Sequence, residues 1–255
     1  NNIRYGSGTE KTLEEYVAVF KKVNADLWGL QEDSEFFFYP EEVLPYDALY
    51  KQILPNYERV FTNTYNGKAF LTNLELSGVE AIKYPTAITS YAPNGTGYGH
   101  PWYLTGKVTV DGKEIFIVSL HFDWHCKERR AIQIDEVIKF AKSHEYCIII
   151  GDFNPENYVN GNKVADPNDE HYVNGFDYVN MYQVDWKFFT DAGFEPANGG
   201  RFGAYETLMR NGKPRGGFPW DSVFVSSNIK ITNAYPVYES WMNDHSIFVA
   251  ELELN

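Results

Sequence analysis

Tyr146-Cys147-Ile148-Ile149-Ile150-Gly151-Asp152-Phe153-Asn154-Pro155 decides how this chain is read. A short apolar run ends abruptly in a glycine, a carboxylate and a carboxamide. Such a run reads as a buried strand whose end carries Asp152 and Asn154 to the rim of a sheet. Acid plus amide at that place suits a metal or a phosphate more than it suits packing. Asp and Asn also cap turns, so the stretch alone leaves both readings open.

Working outward, the same device recurs. Leu27–Leu30 reads as a short strand that delivers Glu32, and Ile115–Leu120 as one that delivers His121. Asp221 precedes the strand Ser222–Val225, and Asp244-His245 precede the alternating strand Ile247–Leu254. If neighbouring strands run in opposite directions, strand ends and strand starts meet on one rim. Glu32, His121, Asp152, Asn154, Asp221, Asp244 and His245 then gather in one acidic pocket. Hard carboxylate oxygens bind Mg2+ or Mn2+. Such a metal polarises a phosphoryl oxygen, a carboxylate can activate water, and His and Asn donate to nonbridging oxygens. The chain has no serine elbow, Walker A loop or paired Cys-x-x-Cys site.

The rest of the chain fits one large domain. Thr12-Leu13-Glu14-Glu15 has the capping-box pattern of a helix that Asn24-Ala25-Asp26 closes. A helix is expected near 48–54, strands at Lys68–Thr72, Tyr103–Val110 and Glu114–Leu120, and a hairpin turn at Asp111-Gly112. A second helix spans about Lys127–Lys142, with Ala131, Ile134, Val137, Ile138 and Ala141 on its buried face. Arg129, Arg130 and Gln133 near its start are read as a solvated face with local packing. His121, Asp123, His125 and Cys126 resemble a transition-metal set, but alternation splits them between faces. Residues 155–182 read as a long loop insertion, followed by a third helix at about Asn180–Ala192. Lys68, Arg201 and Arg215 are candidates for contacting an anionic substrate; for the arginines, solvated loop charge is the competing reading.

The chain has 255 residues and a formal charge of −13. Excess acid weighs against tight duplex DNA binding through many phosphates. It does not exclude phosphate cleavage, because a divalent ion supplies local positive charge. Of the two cysteines, Cys147 reads as a buried thiol, with a Cys126–Cys147 disulfide as the lesser alternative. No apolar run approaches a membrane span. The chain begins at Asn1 without Met, which reads as a removed leader or a trimmed first strand. That start, with the high Tyr and Asn content, leans towards an exported protein.

On these residues the chain resembles the endonuclease/exonuclease/phosphatase superfamily, the deoxyribonuclease I-like metal-dependent phosphoesterases. The matching pieces are Asn2-Ile3-Arg4, Leu30-Gln31-Glu32, Lys68–Thr72, Ser119-Leu120-His121, Gly151-Asp152-Phe153-Asn154, Trp220–Ser226 and Asn243-Asp244-His245-Ser246. They stand in the family's order and span nearly the whole chain. The resemblance implies an α/β (α+β) fold, a four-layer αββα sandwich of two packed mixed sheets with flanking helices. It implies Glu32 as principal metal ligand, with Asn2 and Asp244 close to the metal. Asp152 would activate water, Asn154 would bind phosphate, and His121 and His245 would contact the scissile phosphate. Asp221 would hold His245 in its tautomer. Substrates of this chemistry are nucleic acids, phospholipid headgroups and inositol phosphates; no protein partner is implied.

There are departures. Relatives carry a full strand before the Asn2-Ile3 pair, so the N-terminal strand reads as truncated. Lys68 and Asn243 replace residues common in the family. Asp33-Ser34 follow Glu32 where the deoxyribonuclease branch places a DNA-contacting Arg, which tilts the reading away from duplex DNA. The expectation is a phosphodiesterase, nuclease-like or sphingomyelinase-like. The alternatives are an inositol phosphate or phosphoinositide phosphatase, and an inactive binding module on the same fold.

Overall fold

The computed structural model describes residues 13–31, 56–60, 68–85, 102–123, 127–154, 158–159, 162–163, 178–199, 207, 209–210, 213–214, 220–238 and 245–255. The helices are α1 (Leu13–Val23), α2 (Lys127–Lys142) and α3 (Tyr178–Asp191). The long strands are β1 (Leu27–Gln31), β2 (Asn56–Val60), β3 (Lys68–Thr72), β4 (Leu76–Lys83), β5 (Trp102–Val110), β6 (Lys113–His121) and β7 (Cys147–Asp152). Short pieces follow at β8 (Tyr158–Val159), β9 (Asn162–Lys163), β10 (Phe194–Pro196), β11 (Met209–Arg210) and β12 (Lys213–Pro214). The chain closes with β13 (Asp221–Ser226), β14 (Ile229–Val237) and β15 (Ile247–Leu254).

One sheet holds six strands in the order β10-β13-β7-β6-β5-β4. Its β6–β7 pair is parallel, and α2 forms the crossover between them. The facing layer has two pieces among the described residues, β1-β3-β2 and β14-β15, with antiparallel pairing in each. A cavity of about 490 Å3 lies between β1, β15 and the six-stranded sheet, lined by Leu27, Ile148, Val223, Ala250 and Leu252 among others.

Strand alternation sorts the six-stranded sheet's residues between two cores. Val118, Leu120, Ile149 and Phe224 point outward and pack with Ile134, Val137 and Ala141 of α2 and Trp186 and Phe189 of α3. Ile115, Ile117, Ile148, Val223 and Val225 point inward, towards the layer of β1 and β15. Each fully buried side chain of this size contributes about 1.5–3 kcal/mol of transfer free energy. On the far side of β1, Trp28 stacks under Phe20 of α1, ring centroids 4.2 Å apart. The layers therefore run helix, sheet, sheet, helix, the sandwich expected from the sequence.

Local signals hold where they were strongest. Asn24 takes φ 51° and its N–H bonds Phe20 O at 2.9 Å, ending α1 with a left-handed cap. Asp111 and Gly112 both have positive φ, as a two-residue hairpin turn demands.

Eight of the described strands went unforeseen: β2, β4, β14 and the short pieces β8, β9, β10, β11 and β12. The buried face of α2 is also turned from the expected one. Ala131 is exposed, and Arg130 and Gln133 lie inward beside Ile134, Val137 and Ala141. Part of the expected 155–182 insertion is a small ladder, Tyr158↔Lys163 and Val159↔Asn162. Cys147 is a buried free thiol, pushed up to about 12 by burial. The helix expected near 48–54, residues 1–12 with the N-terminal strand expected there as truncated, and Cys126 lie outside the described residues. No helix among the described residues is long and apolar enough to cross a membrane.

Candidate active site

The inward face of the six-stranded sheet changes character at one end. Along β6 it reads Ile115, Ile117, Ser119, His121; along β7, Ile148, Ile150, Asp152; along β13, Val225, Val223, Asp221. Register places His121 beside Asp152 and Asp152 beside Asp221. The three polar groups thus form one row across three strands, the parallel pair arriving by its ends and the antiparallel strand by its start. All three are buried. From the facing layer, Gln31 Nε2 donates to Ser119 Oγ at 2.9 Å, so the end of β1 closes over the same row. Glu32 is the next residue in the chain.

His245 completes the group from just before β15. Its Nδ1 lies 2.7 Å from Asp221 Oδ2 and its Nε2 3.8 Å from Asp152 Oδ2. His121 Nε2 approaches the same Asp152 oxygen to 3.5 Å from the other side. One carboxylate oxygen therefore faces two imidazoles, and one of those rings is backed by a second carboxylate. Asp221 N–H donates to Thr207 Oγ1 at 2.8 Å, and Ser246 N–H to Thr207 O at 2.7 Å, so Thr207 ties β13 to the segment carrying His245.

Burial alone would raise the Asp221 carboxyl. The opposing charge of His245, their hydrogen bond and the Thr207 hydroxyl outweigh it and hold the carboxyl below its ordinary value. A depressed folded pKa stabilises the fold above the unfolded value of about 3.9, and that contribution disappears as pH falls through the folded value. The stability difference between wild type and Asp221→Asn should therefore be largest near neutrality and shrink below about pH 4. Urea melts from acid to neutral pH test this, and a pH-independent difference would refute the linkage.

Asp152 does two jobs. Its Oδ1 accepts the Asn154 N–H at 2.9 Å, a side-chain-closed turn in which Asn154 takes φ 38°. Its Oδ2 faces the imidazoles. Oδ1 thus closes the turn, as the turn-capping reading expects, and leaves Oδ2 towards the rings. Asn154 Nδ2 donates to Phe122 O at 3.1 Å, linking the turn after β7 to the chain leaving β6.

Lys68 is fully enclosed, its ammonium 4.3 Å from the centre of the Trp102 ring, beside Gln31 in strand register. Glu32, Asn2, Asp244, Arg201 and Arg215 lie outside the described residues. Among the described residues, no group of three His, Cys, Asp or Glu side chains is arranged to hold a metal. The Asp123 carboxylate meets Arg129 Nη1 at 3.2 Å, and His125 and Cys126 lie outside the described residues. Sequence reasoning missed Thr207, which sits in a glycine-rich loop without periodic signal. It also misplaced Arg130 and Gln133, although positions 130, 133, 134, 137 and 141 follow one helical stripe.

No family model matches the chain, and no curated protein matches it. Solved structures do. An endonuclease/exonuclease/phosphatase from Beutenbergia cavernae superposes with TM-score 0.69 at 13% identity, over 95% of this chain and 66% of that longer one. The fold is that of the endonuclease/exonuclease/phosphatase proteins. An endonuclease/exonuclease/phosphatase family protein from Leptotrichia buccalis gives TM-score 0.66 at 12% identity, covering 99% of this chain and 98% of that one. The Bacteroides thetaiotaomicron mannosyl-6-phosphatase gives 0.63 at 15% identity, covering 99% and 97%. On this endonuclease/exonuclease/phosphatase fold, the row His121, Asp152, Asp221 and its partner His245 form a buried polar cluster where the two sheets meet.

Proposed function

We propose that this protein hydrolyses phosphate ester bonds, phosphodiesters foremost, with Mg2+ or Mn2+. The observation that carries the reading is the Asp152 oxygen set between two imidazole Nε2 atoms, one ring held by Asp221. Asp152 accepts a proton from the attacking water. The two imidazoles donate to the phosphoryl oxygens, and one returns a proton to the leaving oxygen. Asp221 fixes the His245 ring through Nδ1, so Nε2 is aimed at the substrate. Asn154 donates to a nonbridging oxygen, and Lys68 adds fixed positive charge behind the site. Arg201 and Arg215 are proposed to meet the anionic substrate from their loop.

The donor chemistry fits a hard divalent ion. β1 ends one residue before Glu32, and the Oε1 of the preceding Gln31 is a buried oxygen without a hydrogen-bond partner among the described residues. Glu32 would hold the ion, with Asn2 and Asp244 beside it or its waters. When bound, the ion offsets negative charge building on the phosphoryl group.

Hydrolysis of bis(p-nitrophenyl) phosphate with and without EDTA tests the reading. Turnover should vanish with chelator and return with Mg2+ or Mn2+, and Glu32→Gln should abolish most of it. No metal-dependent turnover, or full activity in Glu32→Gln, would favour an inactive binding module instead. Similar structures include both a mannosyl-6-phosphatase and D. rerio TDP2 complexed with a single-strand DNA product. A monoester arm with inositol phosphates therefore belongs in the same assay, beside single-stranded DNA, RNA and sphingomyelin.

A further inference from the structure

The two residues that follow His121 are held at all four backbone polar groups. Phe122 N–H donates to Asp152 O at 3.0 Å, and Phe122 O accepts from Asn154 Nδ2 at 3.1 Å. Asp123 N–H donates to Gln133 Oε1 at 2.8 Å, and Asp123 O accepts from Arg130 Nη1 at 3.0 Å. The last two holders come from α2. Arg130 Nε in turn donates to Asp185 Oδ2 of α3 at 2.7 Å, which fixes the guanidinium. Arg130 is 1% exposed and Gln133 0%.

Stability alone does not call for this arrangement. A buried ion pair is often no more stabilising than apolar side chains of similar volume. The adjoining positions Ile134, Val137 and Ala141 are already apolar and buried. What Arg130 and Gln133 add is direction. Both reach from the helix layer to one dipeptide, and that dipeptide joins His121 to the backbone carbonyl that receives the Asn154 amide. An apolar helix face could cover the sheet, but it could not fix the rotation of these peptide planes.

We propose that Arg130, Gln133 and Asp185 are positioning residues that lock the Phe122–Asp123 backbone, and through it hold the His121 imidazole and the Asn154 amide beside Asp152. The effect on turnover rests on the phosphoesterase reading above; the effect on the backbone does not.

The test is the double variant Arg130→Met/Asp185→Leu, which removes both charges together and leaves none buried alone. Its melting temperature should fall only modestly, since no charge is stranded and the Asp123 carbonyl loses one hydrogen bond. Its kcat on bis(p-nitrophenyl) phosphate with Mg2+ should fall about 10- to 100-fold, as expected for a small misplacement of site groups, with KM little changed. The Phe122 and Asp123 amides should exchange faster with deuterium. Wild-type kcat overturns the proposal whatever the exchange shows, and so does a lowered kcat with unchanged exchange. If the double variant does not fold, Gln133→Met carries the same two measurements, since its thioether cannot replace the amide oxygen opposite Asp123 N–H. A wild-type protein without phosphodiesterase activity would sink only the phosphoesterase reading; amide exchange in the variants would still decide the positioning.

Discussion

His245→Ala is expected to lower turnover by about 10²- to 10⁴-fold, the range for losing a positioned proton donor. The ring stands between two carboxylates, 2.7 Å from Asp221 and 3.8 Å from Asp152. Removing it takes away one of the two Nε2 groups that face the Asp152 oxygen. It also leaves the buried Asp221 carboxylate without its cationic partner, and breaking such a pair costs up to about 3–5 kcal/mol. A single variant therefore confounds catalysis with stability. The double variant His245→Ala/Asp221→Asn separates them, because neutralising Asp221 removes the stranded charge. Its melting temperature should recover towards wild type, while its turnover stays as low as in the single variant. A folded His245→Ala protein with near-normal kcat would remove this histidine from the mechanism.

What the sequence disclosed depended on how each segment is buried. β7, β13 and β1 are short and enclosed, so their apolar runs are unbroken and the polar residue ending each run stands out. That is why Asp152 and Asp221 stand out in the sequence as the ends of buried runs. β4 and β14 hid because they are partly exposed and irregular. β4 slips register between Ser77 and Glu80 around Gly78, and β14 slips between Ile231 and Asn233 and carries Pro236. Such strands blur the period-2 signal. Charge misled the reading of α2. Arg130 and Gln133 look like solvent residues by type, yet they share a stripe with Ile134 and Val137 and bond to buried groups of Asp123 and Asp185. A lone sequence shows the stripe but not the partners. Thr207 left no trace, since its contribution is one hydroxyl and one carbonyl presented from an unpatterned loop.

Gly151→Ala should be the most damaging single substitution in the sheet. Gly151 sits between the last isoleucine of β7 and Asp152, paired with Leu120 across the parallel β6–β7 ladder. Its φ is +156°, and an added Cβ would lie 2.1 Å from the Leu120 carbonyl oxygen and 2.9 Å from its carbonyl carbon. These are backbone atoms, which cannot swing aside as a side-chain tip can. Relief requires the two strands to separate by about an ångström, against a ladder that Phe122 N–H and Asp152 O extend on the next step. Two outcomes are open, and both are large. If the strands resist, stability should fall by more than about 4 kcal/mol, beyond the ordinary range for one substitution. If they yield, His121 and Asp152 move apart from their 3.5 Å approach, and a shift of that size is worth about 10²-fold in turnover. Urea melts and kcat measured on the same preparation distinguish the two. An alanine variant that melts and turns over like wild type would mean that β6 and β7 are not this close at Leu120. The alignment of His121 with Asp152, from which the site is built, would then need to be redrawn.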